Sequence, residues 1–186
     1  MNLNDAKKLA RQLMDDHGAK DVPLVISGGK TQLGACHFVA GPSLQRGEDI
    51  INDIFGLNKR NRRINRIERL KTAKCKCIKL SRYLVDLNGE DEVRETMLHE
   101  IAHFLVGATH GHDAVWRRKA IEIGCNGERL AKTAIMPKGR YKASCQCGKV
   151  YYKHRKGKNI FKKNWFRCRI CKNTVQFVDT MAREIA

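Results

Sequence analysis

No apolar run in this chain of 186 residues approaches the roughly 20 residues that a helix needs to span a bilayer. A secretory signal is lacking too. Met1 to His17 have no apolar core; they set Leu3, Ala6, Leu9, Ala10, Leu13 and Met14 on one face of a helix that stops at Gly18. Membrane insertion and secretion are therefore not expected. There are no internal repeats and no low-complexity tail. Above all the chain is short of acid, with 19 Asp and Glu against 37 Lys and Arg, a net charge of +18. Residues 138–178 contain 13 Lys or Arg and no acid, and residues 59–82 contain 11 against the single acid Glu68.

Against these absences stand eight cysteines and seven histidines. His99-Glu100-Ile101-Ala102-His103 is the most informative stretch. Histidines four apart on a helix share a face, so both imidazoles reach one metal ion, and Glu100 can take a proton from a water there. This H-E-x-x-H arrangement is that of zinc hydrolases. The context predicts a helix over 90–106. Asn88 and Gly89 precede it, Glu90, Asp91 and Glu92 favour its positive end, Val93, Met97, Ile101, Ala102 and Leu105 give it an apolar face, and Gly107 stops it. The bland alternative is a helix whose histidines bind nothing.

A hydrolytic zinc keeps three protein ligands and one open position. A long-spaced motif, H-E-x-x-H-x-x-G-x-x-H, needs Gly at 106 and His at 109, whereas this chain has Val106 and Thr109 there. By spacing alone His110 and His112 compete for the third place. Both precede a further helix over 113–123, with Trp116, Ala120 and Ile121 on its apolar side.

A second metal site is expected at the other end. Cys145-x-Cys147 and Cys168-x-x-Cys171 have the spacing of a four-cysteine zinc ribbon, each pair at the tip of a β-hairpin. Val150 to Tyr152 suggest a strand, 155–159 a turn, and Ile160, Phe161, Trp165 and Phe166 a return strand. A module of about 40 residues is too small to fold on apolar burial alone, and structural zinc supplies about 10–16 kcal/mol apparent. The other cysteines, Cys36, Cys75 and Cys125 among them, read as small core residues. Cys75 and Cys77 are expected to face one side of a strand. Reduced thiols point to the cytoplasm, beside the nucleoid, or to the nucleus.

The ribbon's charge is a nucleic-acid footprint. Thirteen cations, less two net negative units for four thiolates around Zn²⁺, leave about +11 on the module. Lys153, Arg155, Lys156, Lys158, Lys162 and Lys163 are candidate phosphate contacts, and Trp165 a candidate platform for an unpaired base. Most of the neighbouring rings, however, read as the ribbon's own core. In the other basic block, Arg62, Arg63 and Arg66 lie on an amphipathic helix that suits either a nucleic-acid backbone or plain packing.

The motifs together resemble the SprT-like, or Spartan-type, metallopeptidases. That family carries H-E-x-x-H, a short loop, then Gly-His with an aromatic residue four positions on, which Gly111, His112 and Trp116 match. Ile78 to Arg82, Glu95 to Glu100 and Leu33 to Cys36 also look like family segments. The resemblance assigns the third ligand to His112, with His110 as a loop residue. It implies a C-terminal zinc ribbon as DNA-binding element and protein substrates held on or crosslinked to DNA; the ribbon's rings, suited to unpaired bases, make DNA with single-stranded character the expected form. It also makes residues 41–71 look like an insertion.

The expected class is α+β, a zincin-like domain followed by a β-hairpin zinc ribbon. The order reads helix 4–17, strands 22–27 and 34–39, a basic helix 48–71, strand 75–82 and the two helices above. The domains are 1–136, ribbon 137–178 and tail 179–186. The expected function is a zinc metalloendopeptidase with two Zn²⁺ per chain, one on His99, His103 and His112 and one on Cys145, Cys147, Cys168 and Cys171. DNA and DNA-bound proteins are its partners. Two rivals are a non-proteolytic nucleic-acid-binding protein with structural zinc and a hydrolase of non-peptide substrates; the intact Glu100 argues against the first.

Overall fold

Helix α1 (Leu3–Asp16) opens the chain because Ala6, Leu9, Ala10, Leu13 and Met14 recur at helical spacing and all are buried. Asn2 caps it, its side-chain oxygen accepting the Asp5 N–H at 2.9 Å. The computed structural model describes residues 1–41 and 66–181. The chain divides into two units, Met1–Met136 and Pro137–Ala186.

In the first unit, β1 (Leu24–Ser27), β2 (Gly34–Val39) and β3 (Lys74–Ser81) form one sheet in the order β1-β3-β2. The β1–β3 pair is parallel and the β2–β3 pair antiparallel, with a register shift between His37 and Phe38. β2 is thus an edge. A short helix α2 (Arg82–Leu87) follows β3 directly, then α3 (Glu90–Val106) and α4 (Ala114–Glu122). Val93, Thr96, Met97, Leu98, Glu100, Ile101 and Ala102 are all buried, more than one stripe of α3. The reason is position: α3 packs on α1, on the β2–β3 side of the sheet and on α4. Its end is set by Gly107, whose φ of 81° favours glycine and whose N–H donates to the His103 carbonyl.

In the first unit the expected helices 4–17, 90–106 and 113–123 and the expected strands 22–27, 34–39 and 75–82 fall within a few residues of those observed, and α2 is an element not expected. Residue 82 begins a helix instead of ending a strand. Ser81 stands at the N-cap, but its hydroxyl donates to the Gly29 carbonyl at 2.6 Å and makes no cap bond. Asn88 likewise does not cap α3. Its amide donates to the carbonyls of Leu84 and Ile135, and its oxygen accepts the Ile135 N–H, so it fastens the chain leaving the unit. Cys75 and Cys77 do not share a side. The register shift sets Cys75 opposite Phe38 and Cys77 opposite His37, so the two cysteines lie on opposite faces.

Most of the expected insertion at 41–71, the helix at 48–71, and Arg62 and Arg63 lie outside the described residues. Residues 66–71 are helical and Arg66 is exposed. Arg69 and Gly41 exchange two hydrogen bonds at 3.1 Å where the chain returns to the sheet.

The second unit has two hairpins. β4 (Tyr141–Ser144) pairs with β5 (Val150–Lys153), and β6 (Phe166–Arg167) with β7 (Thr174–Val175). The expected return strand is much shorter than 160–166. Asn164 adopts φ 57°, which breaks an extended path, and Ile160 is buried in a turn closed on the Gly157 carbonyl. β8 (Val178–Asp179) adds to β4, and Thr180 donates twice to the Arg140 carbonyl, so pairing continues beyond residue 178. Both units are mixed α and β or small-sheet structures around separate apolar clusters. Among the described residues, no helix is long and apolar enough to cross a membrane.

Candidate metal centres

His99 and His103 lie one turn apart on α3, and the start of α4 supplies the third ring. Asp113 organises that start. Its Oδ1 accepts the N–H groups of Val115 and Trp116, and its Oδ2 lies 2.8 Å from His110 Nδ1. The Trp116 N–H, chiefly, and His110 hold the Asp113 carboxyl below its usual range. His112, just before this cap, reaches α3 with its Nε2 2.9 Å from His99 Nε2 and 3.1 Å from His103 Nε2. His110 is turned away into its contact with Asp113 and is not among the three converging histidines.

One ring nitrogen offers either a proton or a lone pair, so His112 Nε2 cannot serve both neighbours as an ordinary hydrogen bond. A shared cation resolves this. Nitrogens at about 2.0–2.1 Å from a tetrahedral Zn²⁺ stand roughly 3.3 Å apart, close to the spacing here. Burial, reinforced by the neighbouring imidazoles, pushes both His99 and His103 down to about 4. Backbone hydrogen bonds with Glu128 and His110 oppose this at the two rings respectively. Burial and the charge of Arg129 lower His112 as well. All three are thereby neutral at pH 7, the form that donates a lone pair to a metal. Trp116, 1% exposed, floors the cluster with its ring centroid 4.6–5.2 Å from each imidazole.

Glu100 points from α3 toward the edge of β2. It is 8% exposed, and its Oε2 accepts the Cys36 N–H at 2.6 Å. Burial raises its carboxyl to about 7 while the Cys36 N–H pulls the other way. Gly34 permits this approach. A methyl there would meet Thr96 Cγ2 at 2.8 Å and Glu100 Cγ at 2.9 Å.

The histidines and Glu100 line an open cavity of about 610 Å³. One wall is β2, from Gly34 to Cys36 with Phe38; another is the segment carrying Asn126 and Glu128–Ala131. Glu95, one turn before His99, fixes the base of that segment by accepting the Cys125 thiol and the Asn126 N–H, both at 2.9 Å. Sequence reasoning missed Gly34 and the Cys36 N–H as parts of the site, although a glycine inside a strand pattern is a sign of close backbone approach. The resemblance takes in Glu95 without giving it this role, and the 126–131 wall was missed because no local motif marks it.

In the second unit, Cys145, Cys147, Cys168 and Cys171 bring their sulfurs within 4.8 Å of one another. Cys145 and Cys171 are 3.3 Å apart and Cys147 and Cys168 3.6 Å. Zn–S bonds of about 2.3 Å place tetrahedral sulfurs roughly 3.8 Å apart, so the set fits Zn²⁺ and is compatible with a zinc ribbon. Tyr151 supports it, with its hydroxyl 3.1 Å from Cys168 Sγ while it accepts the Arg169 N–H.

The basic candidates around this centre are not alike. Lys153 is half-buried, its ammonium 3.6 Å from the Phe166 ring centroid and 4.9 Å from that of Phe177, and burial lowers its pKa. Arg155, Lys156, Lys158, Lys162 and Lys163 are exposed. Trp165 is 52% exposed, with the Lys162 ammonium 4.7 Å from its ring.

A family model described as the SprT-like family matches residues 8–135, which hold the three histidines, Glu100 and the cavity walls up to Ala131. No curated protein and no solved structure matches the chain.

Proposed function

The chain belongs to the SprT-like family, and from that premise we propose that it is a zinc-dependent endopeptidase acting on proteins associated with or crosslinked to DNA. The observation that carries the peptidase part is the convergence of three imidazoles beside the buried Glu100 carboxyl in the wall of an open cavity. His99, His103 and His112 would hold the metal. Zn²⁺ bound by such a set polarises a substrate carbonyl and lowers the pKa of water toward about 7.

The chain's own groups do the rest. Glu100 Oε2 is tethered by the Cys36 N–H, which leaves Oε1 to accept the proton of the attacking water and pass it to the leaving amine. A carboxyl raised by burial suits both halves of that task near neutral pH. The tether and Gly34 together fix the carboxylate in place. The β2 wall and the 126–131 wall bound the space in which a peptide lies.

The ribbon is the second zinc site and the DNA-binding element in this reading. The net positive charge over 138–178 and the exposed Trp165 support it. A nuclear or nucleoid-associated location follows from the proposed partner, not from the fold.

The deciding experiment is Glu100→Gln in zinc-loaded protein, assayed on a basic, disordered protein with and without single-stranded DNA. The variant should keep its zinc and lose about 10²–10⁴ in cleavage rate. Cleavage by the wild type that does not respond to DNA would remove the DNA-guided part. Wild type with full zinc and no cleavage of any protein would favour a non-proteolytic binding protein.

A further inference from the structure

The cavity wall formed by β2 also holds one member of a close pair of thiols. Cys36 Sγ lies 3.4 Å from Cys75 Sγ, across the β2–β3 pair, and neither thiol is in a disulfide. The register shift at His37/Phe38 brings them together. Gly34 faces Thr96 and Glu100 on α3, so Cys36 and Phe38, at alternate positions, share that face. Cys75, directly opposite Phe38, joins them, which unbroken alternation from Ile78 would have prevented. Both thiols pack at the edge of the main core, and Cys36 also lines the open cavity.

We propose that Cys36 and Cys75 are an oxidisable dithiol, a modification site in the wall of the candidate active site that closes to a reversible disulfide. The oxidant is a hydroperoxide. One thiol, as its thiolate, attacks the peroxide oxygen to give a sulfenic acid and release an alcohol, or water from hydrogen peroxide. The second sulfur then displaces water from the sulfenic acid. Two S–H bonds and one O–O bond break, one S–S bond forms, and the peroxide takes up both electrons. Closing from 3.4 Å to a bond of about 2.05 Å is within reach of side-chain rotation and a small strand adjustment. Burial raises both thiols, so they stay protonated and react slowly; once one is oxidised, the other is already in place.

The consequence for catalysis rests on the peptidase reading. The backbone N–H of Cys36 is the group that tethers Glu100. Drawing Cys36 toward Cys75 shifts that donor and with it the carboxylate, so the oxidised protein should cleave more slowly.

The test uses the full zinc-loaded chain and Cys75→Ser, each treated with hydrogen peroxide, quenched with an alkylating agent and mapped by mass spectrometry without reduction. The expected result is a linked peptide pair holding Cys36 and Cys75, recovered as free thiols after dithiothreitol. Recovery of these two residues as unlinked alkylated thiols or as sulfonic acids overturns the proposal. So does pairing of Cys36 with another cysteine in place of Cys75. Wild-type cleavage should fall severalfold and return on reduction, while Cys75→Ser keeps its rate through the same treatment. Equal, irreversible loss in both proteins would point to the ribbon thiols and overturn the link to Glu100. If untreated protein cleaves nothing, the peptidase reading fails, and the mapped disulfide still decides the dithiol. Should Cys75→Ser fold poorly, Cys75→Ala takes its place, and the wild-type map alone settles whether the bond forms.

Discussion

The histidine cluster and the cysteine cluster rest on very different foundations. In the first unit 18 buried residues drawn from α1, β3, α2, α3, α4 and their connections form the core; His99 and His103 lie on α3 and His112 just before α4, on elements that the core already holds. In the second unit the buried cluster has seven residues, and two of them, Cys145 and Cys168, belong to the metal set itself. The first centre decorates a fold; the second is part of one. The same element would therefore serve function in one unit and folding in the other.

That contrast gives the largest expected effect. Changing Cys168 and Cys171 to Ser should remove one zinc equivalent and unfold the ribbon, with loss of its dispersed amide NMR signals. His103→Ala should remove the other equivalent and leave the first unit's melting temperature within a few degrees. Zinc content together with NMR of both variants decides it. Collapse of the first unit on losing its histidine, or a ribbon that stays ordered without thiols, would erase the distinction.

The same contrast explains what was legible in the sequence. His99, Glu100, His103, α3 and α1 were readable because their information is local: a motif, a cap, a 3.6-residue period. The four cysteines were readable through spacing alone. What escaped depends on partners far away in the chain. Ser81 reads as part of a strand running to 82, and its place at the head of α2 has no local mark because its hydroxyl goes to the Gly29 carbonyl, 52 residues away, and makes no cap bond. Asn88 resembles a cap until Ile135 claims it. Cys75 and Cys77 obey alternation until the irregularity opposite His37 and Phe38 breaks it. Ile160, Phe161, Trp165 and Phe166 read as one return strand because all four are bulky and largely apolar, but Asn164 adopts a left-handed conformation between them. Residues 42–65, where the basic helix was expected to begin, are outside the description altogether.

A middle-sized effect tests how tightly the first centre depends on its scaffold. Gly34→Ala inserts a methyl against Thr96 and Glu100. The histidines lie elsewhere, so zinc should stay bound with unchanged stoichiometry. Cleavage should fall by about 10–100-fold, since a displacement near 1 Å can cost ~10² in rate. The measurements are kcat and KM on a peptide alongside zinc content. A normal rate would mean that Glu100 tolerates the shift; loss of zinc would mean that β2 supports the ligands as well as the base.

The smallest effect separates cations within the ribbon. Lys153 is half-buried over Phe166 and Phe177, which pack in the ribbon's apolar cluster, whereas Arg155, Lys156 and Lys158 are exposed, Lys156 with its ammonium 5.5 Å from the centroid of the exposed Phe161 ring. A cation over a ring contributes about 0.5–2 kcal/mol depending on desolvation. Lys153→Ala should therefore loosen the ribbon by about that much and leave the salt dependence of DNA binding nearly unchanged. Arg155, Lys156 and Lys158 changed together to Ala should do the reverse. Their loss should flatten log K against log salt by about 0.7 for each phosphate contact removed on single strands, with ribbon stability intact. Binding titrations at several salt concentrations and thermal melts of both variants make the comparison. If Lys153→Ala flattens the salt slope as the triple change does, its ammonium reaches phosphate despite the rings. The ribbon would then use one set of cations for folding and for contact, and the division of labour between its core and its surface would not hold.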